Sequence, residues 1–256
     1  MSGRPAALAA CFAALLLAAA ASAADPAAPA PKDDPPVNDP WEGMNRGIFN
    51  FNEHLDRWFL EPVATGWDYV VPSPIENALK RFFTNLGFPV VFVNDLLQAK
   101  PLAAAQDVGR FLLNSTAGVA GIWDPATDVG LPQSDEDFGQ TLGVWGVPPG
   151  PYLVLPLLGP SNPRDTGGLV VDSAARVYPF FLPWFVNFTS TAVNLVNRRA
   201  LLLETIREER KSAFDFYVAV RNAYVQRRAN QVSDNEAKAE ESHDDLYDVD
   251  LLDQQQ

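Results

Sequence analysis

The feature that most constrains this chain is a run of nineteen residues, 142–160, that contains no charged side chain. Such a run is long enough to cross a bilayer as a helix. It holds five prolines and four glycines, however, and each proline costs about 3 kcal/mol in a helix interior. Broken backbone at membrane depth is tolerated only where it is buried in protein or lines a wet cavity. The run therefore predicts either a buried apolar loop of a soluble protein or a non-helical apolar wall held inside a membrane-embedded protein.

The N-terminus has the parts of a secretion signal. Arg4 supplies a positive charge, residues 6–20 are an unbroken apolar run, and residues 21–23 are Ala-Ser-Ala, a small-residue cleavage site. We therefore expect a signal peptide over residues 1–23. Cys11, the only cysteine, stands in a lipoprotein-like box, but cleavage there would leave the signal almost no apolar region, so lipidation of Cys11 is disfavoured. The mature chain then has no disulfide.

Composition divides the rest of the chain into three parts. Residues 24–40 are rich in proline, alanine and aspartate and are predicted to be a flexible linker. Residues 41–230 are long enough for one folded domain with a sizeable core. Residues 231–256 hold nine acidic side chains against one lysine and predict an acidic disordered tail, either a tether or a solubilising segment. The net charge of −13 argues against nucleic-acid binding.

Helical periodicity dominates the predicted domain. Residues 45–60 place their apolar side chains on one helical face, and Glu61-Pro62 is expected to end that helix. Ser73, followed by Pro74 and Glu76, predicts an N-cap with a capping box. Further helices are predicted over residues 90–98, 102–114 and 166–178, with a long helical stretch over 189–230. No alternation of strand length stands out, so we predict an all-α fold with long irregular insertions.

A second apolar segment is aromatic. Residues 178–188 hold six aromatic side chains in eleven positions, and tryptophan and tyrosine are favoured at membrane–water interfaces. An aromatic corner of an ordinary core is the alternative, but together with residues 142–160 the segment favours a membrane. We expect six aromatic residues of the two segments to be membrane-embedded: Trp145, Tyr152, Phe180, Phe181, Trp184 and Phe185.

The sequence contains few candidates for catalytic residues. The two histidines are His54 and His243, there is no G-x-S-x-G elbow, and the mature chain has no thiol. We therefore predict no catalytic residue, no enzyme activity and no cofactor. The acids at 135–137 could bind a divalent cation, but a solvated loop or helix cap is favoured, so no metal site is predicted. Arg164 could contact a phosphate or form an ion pair that closes its loop.

Several motifs occur in order over residues 39–180. They are DPWEGMNR at 39–46 with FNFN at 49–52, NL at 85–86, NDLLQ at 94–98, GRFLLNST at 109–116, EDFGQTL at 136–142, GPYLVLP at 150–156, GPS at 159–161 and RD at 164–165. In this combination the chain resembles the MlaA/VacJ family of Gram-negative outer-membrane proteins.

The resemblance implies a specific architecture and function. It implies one compact, ring-like helical domain embedded in the outer membrane, with an amphipathic channel, held by a trimeric porin. Such a protein removes mislocalised phospholipids from the outer leaflet and passes them to a periplasmic lipid-binding protein, which maintains lipid asymmetry. The alternative is a soluble periplasmic scaffold or binding protein that docks through its apolar loop.

The resemblance also indicates residues. Arg164 is the candidate for a head-group contact. The residues expected to shape the channel or its gate are Phe49, Asn50, Phe51, Leu153, Val154, Leu155, Leu157 and Leu158.

Overall fold

The computed structural model describes residues 37–176, 179 and 181–233. Helices make up most of this part of the chain, so the prediction of a mainly α-helical fold is confirmed. The described α-helices are α1 (Glu42–Leu55), α2 (Glu61–Val70), α3 (Ser73–Leu97), α4 (Pro101–Thr116), α5 (Pro125–Asp128), α6 (Phe138–Val144), α7 (Pro163–Ala175), α8 (Trp184–Leu201), α9 (Leu203–Ser212) and α10 (Phe216–Ser233). A π-helical segment, Asp56–Leu60, joins α1 to α2.

Three helix pairs and one hairpin organise the packing. Helix α3 lies against α4, α6 crosses α7, and α2 packs against α8, while α1 supports the hairpin. One small core joins Ala64 of α2 to Ala200 and Leu203. A second joins Tyr152 and Val154 of the apolar run to Tyr217 of α10. The apolar run is therefore seated between the first and last described helices.

A short β-hairpin that begins in the apolar run is a local feature that the predicted all-α fold does not include. Strand β1 (Leu153–Leu155) pairs antiparallel with β2 (Gly159–Ser161), with Val154 opposite Pro160. Leu157 and Gly159 have φ angles of +68° and +79°, which turn the chain between the strands. Three-residue strands are too short to show a period-2 pattern in the sequence. The prolines that forbid a helix here are compatible with a short hairpin at a sheet edge.

The first helix does not end at Glu61-Pro62, which corrects the prediction. The chain continues through the π-helical segment into α2, where Pro62 lies in the first turn. The Glu61 N–H donates a hydrogen bond to the Asp56 carbonyl, five residues earlier. The backbone hydrogen bonds therefore change from the α-helical to the π-helical spacing just before the proline. Backbone N–H groups in the first turn of a helix have no intrahelical acceptor, so a proline there, which lacks the N–H, loses no hydrogen bond. The π-helical segment therefore lets the helical path pass a residue that would otherwise break it.

Helix α3 corrects two further predictions. It runs without interruption from Ser73 to Leu97 with Pro89 inside it, so residues 90–98 are not a separate helix. Its N-cap residue is Pro72, without a side-chain capping bond, so the predicted capping box is absent. Glu76 is instead buried, at 2% exposure. The contact of α3 with α4, where Phe88 stacks on Phe111, lies beside Pro89 and supports the continuous helix there.

The ends of the described chain also differ from expectation. The stretch 189–230 is three helices, α8, α9 and α10, with breaks at Leu202 and residues 213–215. Helix α10 extends to Ser233, beyond the predicted boundary at 230. At the other end, the Asn38 carbonyl accepts a bond from the Tyr152 amide at 2.8 Å. Residues 37–40 thus belong to the folded part. Cys11, the predicted signal peptide, most of the predicted linker and the predicted acidic tail from 234 lie outside the described residues.

Candidate functional site

Two asparagines of α1 hold the hairpin in place. The Asn45 amide donates to the Tyr152 carbonyl at 3.0 Å and accepts from the Val154 N–H at 2.9 Å. The Asn52 amide repeats this pattern, donating to the Leu155 carbonyl at 2.9 Å and accepting from the Leu157 N–H at 2.8 Å. The two asparagines are seven positions apart, which places them on one face of the helix. They satisfy hairpin backbone groups that have no sheet partner on this side.

Replacing Asn52 with alanine tests this anchor. The change leaves the Leu155 carbonyl and the Leu157 N–H without their partners, and each unpaired group costs about 1–3 kcal/mol. We expect the amide of Leu157 to exchange with solvent at least about tenfold faster, as hydrogen exchange with mass spectrometry or NMR would show. Asn50→Ala is the matched control, because the Asn50 side chain is exposed and contacts no hairpin group. Equal exchange rates in the two variants would contradict the anchoring role.

The predicted channel residues are divided between the interior and the surface. Val154 and Leu158 are buried at 2% and 4% exposure. Phe49 packs edge-on against Phe216 and Tyr217, with ring centroids 5.7 and 5.4 Å apart. The remaining five are not fully buried: Leu153, Leu155 and Leu157 are half-buried, and Asn50 and Phe51 are exposed. Strand β1 thus alternates between buried and half-buried residues, whereas β2 is buried throughout.

The predicted membrane-embedded aromatics are mostly at the surface. Phe181, Trp184 and Phe185 are exposed by 80%, 61% and 56%. Trp145 is also exposed, and its indole N–H donates to the Leu97 carbonyl at 3.0 Å. Tyr152 differs from them, because its side chain is only 2% exposed; it lies inside the protein and has no surface to offer to lipid. Phe180 lies outside the described residues.

Arg164 lies inside a cluster of charges behind the hairpin. Its Nε donates to Asp165 Oδ1 at 2.9 Å, so the ion pair is the alternative that the structure contains. With its side chain only 5% exposed, Arg164 is not available at the surface for a head group. The centre of the cluster is Arg228, which binds Asp165 through Nε at 2.8 Å and Asp137 through Nη1 at 2.6 Å. Burial disfavours the charged form of Asp165, but Arg228 outweighs it and lowers the pKa to about 2.

The acids at 135–137 are engaged in structural contacts. Asp137 caps α6 by accepting from the Gln140 N–H at 2.8 Å, as the helix-cap alternative predicted. Glu136 pairs with Lys100 at 2.9 Å, and Asp135 with Arg227 at 3.4 Å. Within the part of the chain that the structure describes, no group of three or more histidine, cysteine, aspartate or glutamate side chains is arranged to hold a metal ion. The exposed His54 contacts the Asn50 carbonyl at 2.6 Å.

The distribution of polar and apolar residues is inverted. Among the described residues, ten hydrophobic side chains are fully buried, against nineteen polar or charged ones. Many large apolar side chains are exposed, including Trp58 at 83% and Tyr69 at 90%. Water-soluble monomers rarely expose large contiguous apolar patches, and such patches mark binding surfaces for protein or lipid. None of the described helices is both long enough and apolar enough to cross a bilayer.

A buried acid pair links α3 to α4, and neither member is among the residues that the sequence predicts to be functional. Asp95 is fully buried, and the Ser134 hydroxyl lies 3.4 Å from its Oδ2 and 2.5 Å from Asp107 Oδ2. Asp95 Oδ1 has no hydrogen-bond partner among the described residues. Burial first, and then the carboxylates of Asp107 and Glu136, raise the pKa of Asp95 to about 8. At neutral pH the Asp95 carboxyl therefore carries a proton.

This pair makes stability depend on pH. The Asp95 pKa is 3.8 in the unfolded chain and about 8 in the folded one, so between these values the folded state binds the extra proton. Its contribution to the free energy of unfolding is full below pH 4 and is lost as the pH rises to 8, by at most about 1.4 kcal/mol per unit. Asp95→Asn, a mimic of the neutral acid, is expected to flatten this slope in thermal unfolding at pH 5–9. Asp128→Asn, at an exposed acid, is the control, and parallel profiles for wild type and Asp95→Asn would contradict the assignment.

Comparison with known proteins identifies the family. The family model described as "MlaA lipoprotein" matches residues 37–231. The chain belongs to the MlaA family. It is 38% identical over 218 residues to the "Intermembrane phospholipid transport system lipoprotein MlaA" of Haemophilus influenzae, covering 82% of this chain and 85% of that one. The relative of the same name from Escherichia coli is 37% identical over 225 residues, covering 83% and 88%.

A solved structure agrees with this MlaA assignment. It is described as the "Structural basis for maintenance of bacterial outer membrane lipid asymmetry". The present chain matches it with a TM-score of 0.67 and 35% identity, over 76% of this chain and 98% of that one. The likeness thus extends from the MlaA sequence to the helical architecture, and it confirms the resemblance that the motifs over residues 39–180 indicate.

Proposed function

We propose that this protein moves phospholipids between membranes as a non-enzymatic component of the outer membrane. It removes mislocalised phospholipids from the outer leaflet through an amphipathic channel and passes them to a periplasmic lipid-binding protein. A trimeric porin holds it in the membrane. The names of the MlaA relatives support the transport part of this proposal, since those proteins belong to an intermembrane phospholipid transport system.

The inverted distribution of residues is the observation that carries the proposal. A surface bearing Trp58, Tyr69 and Phe181 at 80–90% exposure is stable only where apolar material covers it. The acyl chains of a membrane provide such cover. The buried polar groups fit the same setting, because backbone and side-chain polar atoms in an apolar medium must be paired inside the protein.

A lipid that leaves a leaflet needs shelter for its chains. Exposing acyl chains to water costs about 0.8 kcal/mol per methylene, so an open path is prohibitive. In the proposal, the half-buried side of the hairpin, with Leu153, Leu155 and Leu157, forms the apolar wall of the route, and Asn50 and Phe51 lie at its edge. Residues 142–160 and 180–188 form the contact with the membrane, with Tyr152 behind it in the protein core.

Fractionation and a surface-lipid assay test the proposal together. The full chain is expected in the outer membrane, and a strain that lacks it is expected to carry excess phospholipid on its surface, restored by the wild-type gene. Phe185→Asp, at an exposed aromatic of α8, is expected to weaken membrane association and restoration. Lys211→Asp adds an aspartate at a position that is already polar and exposed, and it should restore fully. A soluble periplasmic protein whose loss leaves the cell surface unchanged would overturn the proposal in favour of a scaffold role.

A further inference from the structure

A cavity of about 350 Å³ opens between α3 and α4. On α3 its lining residues recur every three or four positions between 77 and 91, so they form one stripe along the helix. Helix α4 contributes a matching stripe between positions 107 and 114. The volume lies near the lower end of the range for small-molecule sites, about 300–1,000 Å³. It accommodates a polar head group, and it is too small for two long acyl chains.

The character of the lining changes along the stripe. Lys80 and Arg81 occupy the exposed end. The middle is aromatic, where Phe88 stacks on Phe111 with centroids 4.4 Å apart and planes 12° from parallel. The far end is acidic and buried, at Asp107. From the exposed end inward, the cavity is therefore lined first by two cationic side chains and then by an apolar wall.

The two cations at the mouth are not neutralised. Among the described residues, Lys80 has no hydrogen-bond or ion-pair partner, and Arg81 donates only to the Ile122 carbonyl, at 3.4 Å. Arg110, deeper in the cavity, differs from them because Asp124 binds it at 2.8 Å. Two adjacent uncompensated cations stand out in a chain of net charge −13. A phosphate is the anion that such a lysine and arginine pair binds best.

An apolar surface adjoins the mouth. The loop after α4 exposes Val119, Ile122 and Trp123, at 52%, 39% and 60%, and the Arg81 contact with Ile122 fixes this loop beside the cations. Tryptophan next to lysine and arginine is the pattern that proteins show at the head-group level of a membrane. Acyl chains of a lipid whose phosphate is at Lys80 and Arg81 can lie on this surface outside the cavity.

We propose that the cavity between α3 and α4 binds the phosphate-bearing head group of a glycerophospholipid, with Lys80 and Arg81 holding the phosphate. The head-group alcohol beyond the phosphate extends into the cavity along the Phe88–Phe111 pair, and the loop at 119–123 receives the glycerol backbone and the acyl chains outside it. This inference rests on the proposed transport of phospholipid and names a place where the cargo is held.

Binding of three soluble probes to the purified mature protein in mild detergent tests the site. The probes are inorganic phosphate, glycerophosphoethanolamine and a short-chain phosphatidylethanolamine below its micelle concentration, measured by calorimetry. We expect affinity to rise in that order, because each probe adds contacts with the cavity or the apolar loop. Lys80→Glu and Arg81→Glu are each expected to weaken binding of the short-chain lipid about tenfold or more. Lys211→Glu makes the same charge change on α9, outside the cavity, and should leave the affinity within about twofold.

A second variant acts on shape and not on charge. Thr84 lines the cavity and is exposed, so Thr84→Trp is expected to fill the space without disturbing the core and to abolish binding of glycerophosphoethanolamine. The proposal is overturned if the wild type binds none of the probes, if phosphate alone binds as tightly as the lipid, or if Lys80→Glu and Lys211→Glu behave alike. If Lys80→Glu loses probe binding but still restores the surface lipid fully, the cavity is not a place where the cargo is held during transport. That outcome would reject this site and leave the transport proposal standing. The predicted binding pattern in a protein that the surface-lipid assay shows to be dispensable would reject the transport proposal and support the site.

Discussion

Replacing Arg228 with methionine is expected to lower the free energy of unfolding by about 3–5 kcal/mol, the range for breaking a buried ion pair by removing one partner. Arg228 holds two carboxylates, Asp137 and Asp165, through four contacts of 2.6–3.0 Å. Methionine fills much of the same volume and provides none of these bonds. Thermal or chemical unfolding of the purified protein in mild detergent measures the loss.

The neighbouring arginine is the control for this prediction. Arg227 pairs with Asp135 at 3.4 Å, and the Asp135 side chain is 76% exposed. Exposed pairs contribute about 0–1 kcal/mol, so Arg227→Met should change stability little. A loss of similar size in both variants would contradict the role given to Arg228.

The Arg228 effect also has a pH dependence of known sign. In the folded protein Arg228 overcomes the effect of burial and lowers the pKa of Asp165 from 3.8 to about 2. This contribution to stability is present above pH 4 and is lost as the pH falls toward 2. The difference in stability between wild type and Arg228→Met should therefore shrink over that range. A difference that stays constant from pH 6 to pH 2 would show that lost packing, and not lost charge pairing, causes the effect.

The sequence predicts the helical class and the family, because both rest on long or repeated signals. Periodicity over ten or more residues identifies α1, α4 and α7, and many short motifs in order identify MlaA. Proline residues lead to wrong predictions of helix ends where contacts with the rest of the fold compensate for their helix-breaking effect. Pro62 and Pro89 both lie within continuous helical paths, one after a π-helical segment and one inside α3.

The sequence does not predict which polar residues are buried. Asn52 and Asn50 are both amides on α1, but only Asn52 meets the hairpin, and nothing local distinguishes them. Asp95 and Asp107 come together because α3 and α4 are antiparallel neighbours. Lys80 and Arg81 resemble an ordinary exposed helix face until the cavity beside them is known. These sites depend on contacts between distant segments, which periodicity does not report.

Two adjacent glycines in α7 are expected to respond in opposite directions to the same change. A Cβ on Gly168 would collide with the backbone nitrogen of Gly139, where α7 crosses α6, whereas a Cβ on Gly167 would meet nothing within 4 Å. Because the obstacle is backbone, Gly168→Ala must push the two helices apart. That separation strains the cluster of Arg228, Asp137 and Asp165, whose carboxylates lie on either side of the crossing.

The expected loss for Gly168→Ala is about 3 kcal/mol, the upper part of the range for overpacking. Gly167→Ala should instead stabilise the protein by about 0.5–1 kcal/mol, since alanine loses less backbone entropy than glycine in a helix. Unfolding midpoints of the two variants, measured side by side with wild type, distinguish these outcomes. Equal shifts in one direction would show that α6 and α7 do not approach as closely as the structure describes. Opposite shifts would establish that glycine at 168 is required by a backbone contact and glycine at 167 is not.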